Sequence, residues 1–290
     1  MEVLKKHYWV VKEIFKYQSA IGTSSGSVPF AIPLNFYTEF VKNTGALSDK
    51  DISISQSDTL FLMINKRSPM TPLNPGHSFV RFQFLEILMR LGLKKDLIYK
   101  ELDARINNFM CKYICPQLKV DKAQDYRWKR YWNEPVDNLY KFHMKLFQEV
   151  YKNYSGTLKL PGEENYMGAS EFEKIWTDSK LQNDRFANRD MNVCFNLAMQ
   201  TRVDEYNAYR HIKMTFIEFL EAFARAADYL SYPPASVSIH EEYLRTNTNE
   251  LEKPEENNYE DDEEDVTLEE MISQPLSKKI ENILPYVLNN

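Results

Sequence analysis

The sequence predicts an all-α protein: two copies of one four-helix unit, a helical connector between them, and an acidic tail that carries a terminal helix. Three observations predict this. Apolar residues recur at the three- and four-residue spacing of amphipathic helices along most of the chain. Glycine is scarce, 8 of 290 residues, which argues against glycine-rich phosphate loops and glycine-rich β architectures. Several segments also recur at one nearly constant displacement. With 43% hydrophobic and 13% aromatic residues, the chain has enough apolar surface to bury a sizeable core.

The repeat organises the chain. FLEILMR at 84–90 returns as FLEAFAR at 219–225, so Phe84, Leu85, Glu86 and Arg90 recur as Phe219, Leu220, Glu221 and Arg225, 135 positions later. EIFKYQS at 13–19 aligns with EVYKNYS at 149–155, 136 positions on, and Phe36 and Phe40 align with Phe172 and Trp176 at the same displacement. Phe61 aligns with Phe195 at 134. The matches define units at 3–93 and 136–230.

In the first unit the spacing predicts helices at 3–18, 34–43, 53–66 and 79–92. The connector, 94–135, opens with a helix that ends before Pro116 and carries Leu97, Leu102, Ile106, Phe109 and Tyr113. Its second half holds RWKRYW, where the four-residue spacing of Trp128 and Trp132 places both against a lobe. The second unit opens with a stripe through Val136, Leu139, Tyr140, His143, Leu146, Phe147, Val150, Tyr151 and Tyr154. A short helix near 169–180 follows, then one near 188–200 with Met191, Phe195 and Met199 on one stripe and Asn188 or Asp190 as its cap. The last, near 214–230, turns Phe216, Leu220, Phe223, Ala227 and Leu230 inward and stops before Pro233 and Pro234. The expected boundaries are therefore a lobe at 1–93, the connector at 94–135, a second lobe at 136–232, an acidic linker at 233–265 and a docking helix at 266–290. Leu268, Met271, Ile272, Leu276, Ile280, Ile283 and Leu284 give that last helix an apolar stripe, which docks in cis or in trans.

Charge divides unevenly. Residues 241–270 hold 14 acidic and 2 basic residues, out of 42 and 36 in the whole chain. The tail is thus −12 and the remainder +6, so the body suits an acidic protein surface or a nucleic-acid backbone, and the tail is placed to mask it. Charges interrupt every apolar stretch of the first 20 residues, and no run approaches the roughly 20 residues that span a bilayer. No leader and no membrane partner are expected, and the location expected is cytoplasmic. Cys111, Cys115 and Cys194 are too few for a disulfide framework. The first two are expected to be packed and inert, since no second ligand pair completes a metal site. His7, His77, His143, His211 and His240 are scattered without partner spacing, and no nucleophile elbow or phosphate loop occurs, so no enzyme is expected. His143, on an apolar stripe, reads as a core histidine.

Helix, long loop, then a helix that opens just after a residue followed by Phe is an arrangement that resembles the EF-hand superfamily, with two hands to a lobe. The resemblance covers about 180 of the 290 residues and implies two EF-hand-like four-helix lobes. It lies in helix order and pairing and does not extend to the calcium loop, which needs oxygen ligands at positions 1, 3, 5, 9 and 12 with glycine at 6. With position 12 set just before the exit-helix aromatic, the first hand offers Ser24, Gly26, Val28 and Asn35. The second offers Pro72, Asn74, Gly76 and Gln83, and the third Leu160, Gly162, Glu164 and Glu171. The fourth offers Asn207, Tyr209, His211, Thr215 and Glu218, with Ile212 where glycine should stand. None assembles three or four carboxylates, and Ser19 to Asn35 and Ser155 to Glu171 are each 17 residues, longer than a working loop. No cofactor is expected. The alternative is calcium in an irregular fourth-hand site made by Asp204, Glu205, Asn207 and Glu218.

The helices FVRFQFLEILMRLG and MTFIEFLEAFARAAD, beside such long loops, resemble EF-hand-related proteins of ciliary and flagellar axonemes. That implies a non-enzymatic component of a microtubule-associated, cytoskeletal assembly whose partners are other proteins. Phe84, Leu88, Met89, Met199, Phe219 and Phe223 are the candidate groove-lining residues, and Trp128 and Trp132 the candidate connector contacts. The alternative readings are a calcium sensor, and RNA binding through the basic and aromatic residues of RWKRYW.

Overall fold

The computed structural model describes residues 2–22, 30–48, 51–68, 70–71, 74, 76–95, 97–118, 123–157, 159, 161–162, 164–183, 185–200, 212–233 and 268–288. Among them it is helical almost throughout. The apolar stripes of the first unit form α1 (Glu2–Gly22), α2 (Leu34–Asn43), α3 (Ile54–Arg67) and α4 (Arg81–Lys95). Strands β1 (Ile32–Pro33) and β2 (Ser78–Phe79) pair antiparallel just ahead of α2 and α4, with Ile32 opposite Phe79. Ser53 starts α3 through a capping box: its hydroxyl accepts from the Gln56 N–H, and the Gln56 side chain returns to the Ser53 N–H.

The connector forms α5 (Leu102–Phe109), which runs on through a π turn at Met110–Ile114 and a 3-10 turn at Cys115–Gln117. Pro116 has no N–H to continue the helical ladder, which ends the segment there. α6 (Ala123–Tyr126) leads into a second π turn, Arg127–Tyr131, closed by the Trp132 N–H on the Arg127 carbonyl at 2.7 Å. The stripe expected as one helix from 136 divides into α7 (Glu134–Phe142) and α8 (Met144–Tyr154), because the chain leaves helical geometry at His143, φ −97° and ψ 16°. α9 (Ala169–Asp178), α10 (Asn188–Ala198) and α11 (Phe216–Leu230) complete the second unit. Asp190 is not the cap of α10. It sits one turn in and reaches back to the Ala187 N–H at 3.0 Å. The terminal stripe divides at Pro275 into α12 (Leu268–Ser273) and α13 (Leu276–Leu288).

Several local contacts recur in the two halves. Met167 bridges Met214 antiparallel, each 135 positions after Ile32 and Phe79. Thr44 and Ser179 each fold a hydroxyl back onto the carbonyl three residues earlier, Val41 and Trp176. Gly45 and Lys180, the next residues, both take positive φ, 66° and 56°. A bridge between Ser48 and Ile52 is answered by one between Asn183 and Phe186, which is one residue shorter, so α3 and α10 are displaced by 134. By this register the partners of Phe172 and Trp176 are the buried Tyr37 and Val41. The alignment of Phe36 and Phe40 with that pair was one residue out.

A continuous apolar core runs through both halves and the connector. α1 packs along α10, where Ala20, Val193 and Leu197 form a small seam. α10 is in turn covered by α11, whose Ala222, Ala224, Ala226 and Ala227 are wholly buried and allow close approach. α5 lies on α4, where Gly92 leaves room for Phe109: a Cβ at Gly92 would stand 3.1 Å from the Phe109 Cβ. Phe109, Met110 and Ile114 belong to the core, so the connector is part of the packing and not a spacer. No helix among the described residues is long and apolar enough to cross a membrane.

Candidate functional site

The four loops ahead of α2, α4, α9 and α11 are where an EF-hand would hold its ion, and three of the four position-12 side chains are committed to backbone amides. Glu171, buried, accepts from the Gly168 N–H at 2.6 Å with one oxygen. Its other oxygen accepts from the Thr157 N–H at 2.7 Å and from the Thr157 hydroxyl. Glu218, also buried, repeats the scheme. One oxygen takes the Thr215 N–H at 2.9 Å and its hydroxyl at 2.8 Å, and the other takes the Gln200 N–H at 2.8 Å. Gln83 accepts from the Val80 N–H at 2.9 Å. Each carboxylate thus ties the start of a loop to the helix that ends it, the connection an ion makes elsewhere. An incoming cation would have to displace charge-assisted hydrogen bonds worth about 1.5–3 kcal/mol each. Asn35, at the corresponding place in the first hand, is exposed. Of the irregular fourth-hand set, Asp204, Glu205 and Asn207 lie outside the described residues, and Glu218 has the role just given. Among the described residues no group of three His, Cys, Asp or Glu side chains is arranged to hold a metal.

The second feature is a groove with a helix in it. α13 lies against α11, α7 and α9. Its Leu276, Ile280, Ile283, Leu284 and Val287, spaced four, three, one and three apart, are buried and make one apolar face. Two polar side chains fix its position. Lys279, 2% exposed, donates to Asp228 of α11 at 2.8 Å and to the Ile272 carbonyl at 2.8 Å. Asn282 donates to the Tyr232 carbonyl at 3.1 Å, and the Tyr232 and Tyr286 rings meet edge-on at 5.1 Å. Of the two expected modes of docking, the structure takes the one in cis. In the first unit α5 stands in a similar relation to α4 and α1.

The candidate groove-lining residues occupy other places. Phe84, Leu88, Met199, Phe219 and Phe223 are core residues, and Met89 is half-buried. Phe84 packs on Phe15 and Phe40, and Phe223 on Phe147 and Trp176. Their aromatic faces are packed within this chain.

The connector motif behaves differently from its expected form. Trp128 and Trp132 do not pack on a lobe. They are 68% and 48% exposed and meet each other edge-on at 5.0 Å. In the wider π turn Arg127 is buried, while Arg130, its side chain 39% exposed, reaches across to α11. Arg127 donates to the fully buried Glu221 at 2.7 Å, and Arg225 donates to the other oxygen of Glu221 at 3.0 and 2.9 Å and lies 4.1 Å from the Tyr126 ring. Arg130 holds Asp228 bidentately at 2.9 and 2.7 Å, so Asp228 joins the connector, α11 and α13. The two arginines that a nucleic acid would need for its phosphates are paired within the chain. No residue spacing could have announced these partners, since they lie 94 and 98 positions away.

Two smaller expectations change. Cys111 is exposed and Cys115 half-buried, the latter with its thiol pushed up by burial, and both sulfurs approach the His7 ring at 4.0 and 3.6 Å. Only Cys194 is fully packed. His143 lies at the α7–α8 junction, where burial lowers its pKa. Comparison with protein-family models, with curated proteins and with solved structures finds no match to this chain.

Proposed function

We propose that this chain is a non-enzymatic interaction protein in which two EF-hand-like lobes, copies of one ancestral unit, grip amphipathic helices without calcium. The observation that carries the reading is α13: an amphipathic helix held by its apolar face, one lysine and one asparagine across α11, α7 and α9. The paired bridges and turns at displacements of 134 and 135 support the duplication. The loop-closing roles of Glu171 and Glu218 support independence from calcium.

Two measurements test this. Thermal unfolding in excess chelator and in micromolar calcium should give one midpoint, and terbium should not sensitise. A rise of several degrees with calcium would overturn the reading. Glu171→Gln and Glu218→Gln should each cost about 1.5–3 kcal/mol in chelator, because an amide presents a donor to an N–H. A calcium-ligating glutamate would show its loss only when the ion is present. The cytoskeletal, axoneme-type setting is proposed from the helix-pattern resemblance. Co-purification from ciliated cells followed by mass spectrometry tests it, and recovery of the free chain alone would count against it.

A further inference from the structure

We propose that the groove under α13 is shaped for a longer helix from another protein, one whose C-terminal turns are basic, and that α13 is the resident such a helix displaces. This rests on the helix-gripping reading above. The apolar face of α13 ends at Val287, and there the groove continues. A cleft of about 630 Å³ opens between α8 and α9, with Val287 on its wall. Its accessible charged lining is Glu149 and Asp178 against Lys174, with Asn153 and Tyr154 between them, while Glu171 behind them is already committed to Gly168 and Thr157. α13 brings nothing basic to this end. Its own lysines, Lys278 and Lys279, stand near its start, and its last turns read PYVL. Two more helical turns would add about 11 Å beyond the Val287 end, where the cleft opens. Lysines or arginines there would meet a net negative wall and the favourable end of the helix dipole.

The resident is also built to leave. Pro285 lies inside α13 and removes one bond of its helical ladder. Departure of Lys279 leaves Asp228 satisfied, because Arg130 already occupies both of its oxygens. The Tyr232 carbonyl, which accepts from Asn282, does lose its donor when α13 goes, so the entering helix has to supply the apolar stripe again and one donor at that point.

The test uses the full chain. Ile280→Glu with Ile283→Glu unseats α13, and Lys279→Glu is the milder second variant should the double change fail to fold by circular dichroism. The probes are a fluorescent peptide of residues 268–288 and the same peptide with about two further turns rich in lysine. The short peptide should bind the opened variant and bind wild type about tenfold more weakly, since α13 competes. The extended peptide should bind the opened variant about tenfold more tightly than the short one, and Glu149→Gln with Asp178→Asn, or about 0.5 M salt, should erase that gain. If the basic turns add nothing while the short peptide still binds, the basic-helix partner is overturned and helix gripping stands. If neither peptide binds the folded, opened variant, helix gripping falls too. A wild-type dimer in light scattering that the opened variant loses would give the groove to a second copy of the chain and would also overturn the proposal.

Discussion

Glu221→Gln should be among the most damaging single changes in the molecule. Glu221 is fully buried and accepts four hydrogen bonds: one from Arg127 at 2.7 Å, two from Arg225 at 3.0 and 2.9 Å, and one from Gln200 at 3.2 Å. The two guanidiniums that it joins are themselves only 9% and 6% exposed. Glutamine keeps the shape, but it removes the negative charge that bridges two buried cations and turns an N–H₂ group toward donors. Removing one partner of a buried pair costs about 3–5 kcal/mol. With a urea slope near 3 kcal/mol per molar, that lowers the midpoint by about 1–1.7 M, read by circular dichroism at 222 nm. The triple change Arg127→Met, Glu221→Leu, Arg225→Met removes all three charges and should recover most of the loss, because apolar replacements of similar volume serve a buried triad about as well. A Glu221→Gln midpoint within about 0.3 M of wild type, or a triple variant no better than the single one, would refute the argument that this cluster is a desolvated, mutually dependent unit.

Other expectations follow from the same packing. Burial beside Lys12, Arg127 and Arg225, offset in part by Glu13, lowers the Lys16 pKa from 10.5 to about 8, and its ammonium donates to the Met199 carbonyl at 2.7 Å. Between those two values the unfolded chain binds the proton and the folded one does not. Stability from this group is therefore complete above 10.5 and lost as pH falls through about 8, a change of about 3–3.5 kcal/mol. Lys16→Met should flatten the stability–pH curve over that window by this amount, and an unchanged slope would show that the shift is not there. Gly92→Val should cost about 1–3 kcal/mol by forcing α5 off α4 at Phe109, and chemical denaturation at or above the wild-type midpoint would contradict that contact. Trp128→Ala with Trp132→Ala should leave stability within about 0.5 kcal/mol, while Trp176→Ala, in the core, should cost about 3–5. A large loss from the exposed pair would mean that it packs after all.

Much of the helical pattern was legible because it is a property of neighbours in sequence. The three-four spacing located α2 at its observed bounds and the other long helices within a few residues, since an apolar face must be buried somewhere whatever covers it. Tertiary choices were not legible. The one-residue slip at Phe36 arose because Phe36 and Tyr37 are equally aromatic, and only the pairing of Ile32 with Phe79 decides which of them turns inward. The break at His143 leaves the apolar spacing intact on either side, so periodicity passes straight over it. Trp128 and Trp132 misled for a related reason: the four-residue rule assumes an α-helix, and a π turn rotates the series. For the candidate site, the sequence sets the loop register by placing position 12 just before the exit-helix aromatic, and it shows no cluster of three or four carboxylates. What position 12 does in the structure depends on amides 14 and 18 residues away, at Thr157 and Gln200.

The way Glu171 and Glu218 are satisfied has a consequence for control. A dissolved cation comes and goes with the signalling state of a cell, whereas a peptide N–H is built into the chain at fixed stoichiometry. A glutamate satisfied by its own chain's amides, as Glu171 and Glu218 are, needs no ion to hold the ends of its loop together. Under the proposed helix-gripping function, such a molecule would act as a fastener and not as a gauge, and whatever adjusts its hold would act on its supply or on rivals for its seats.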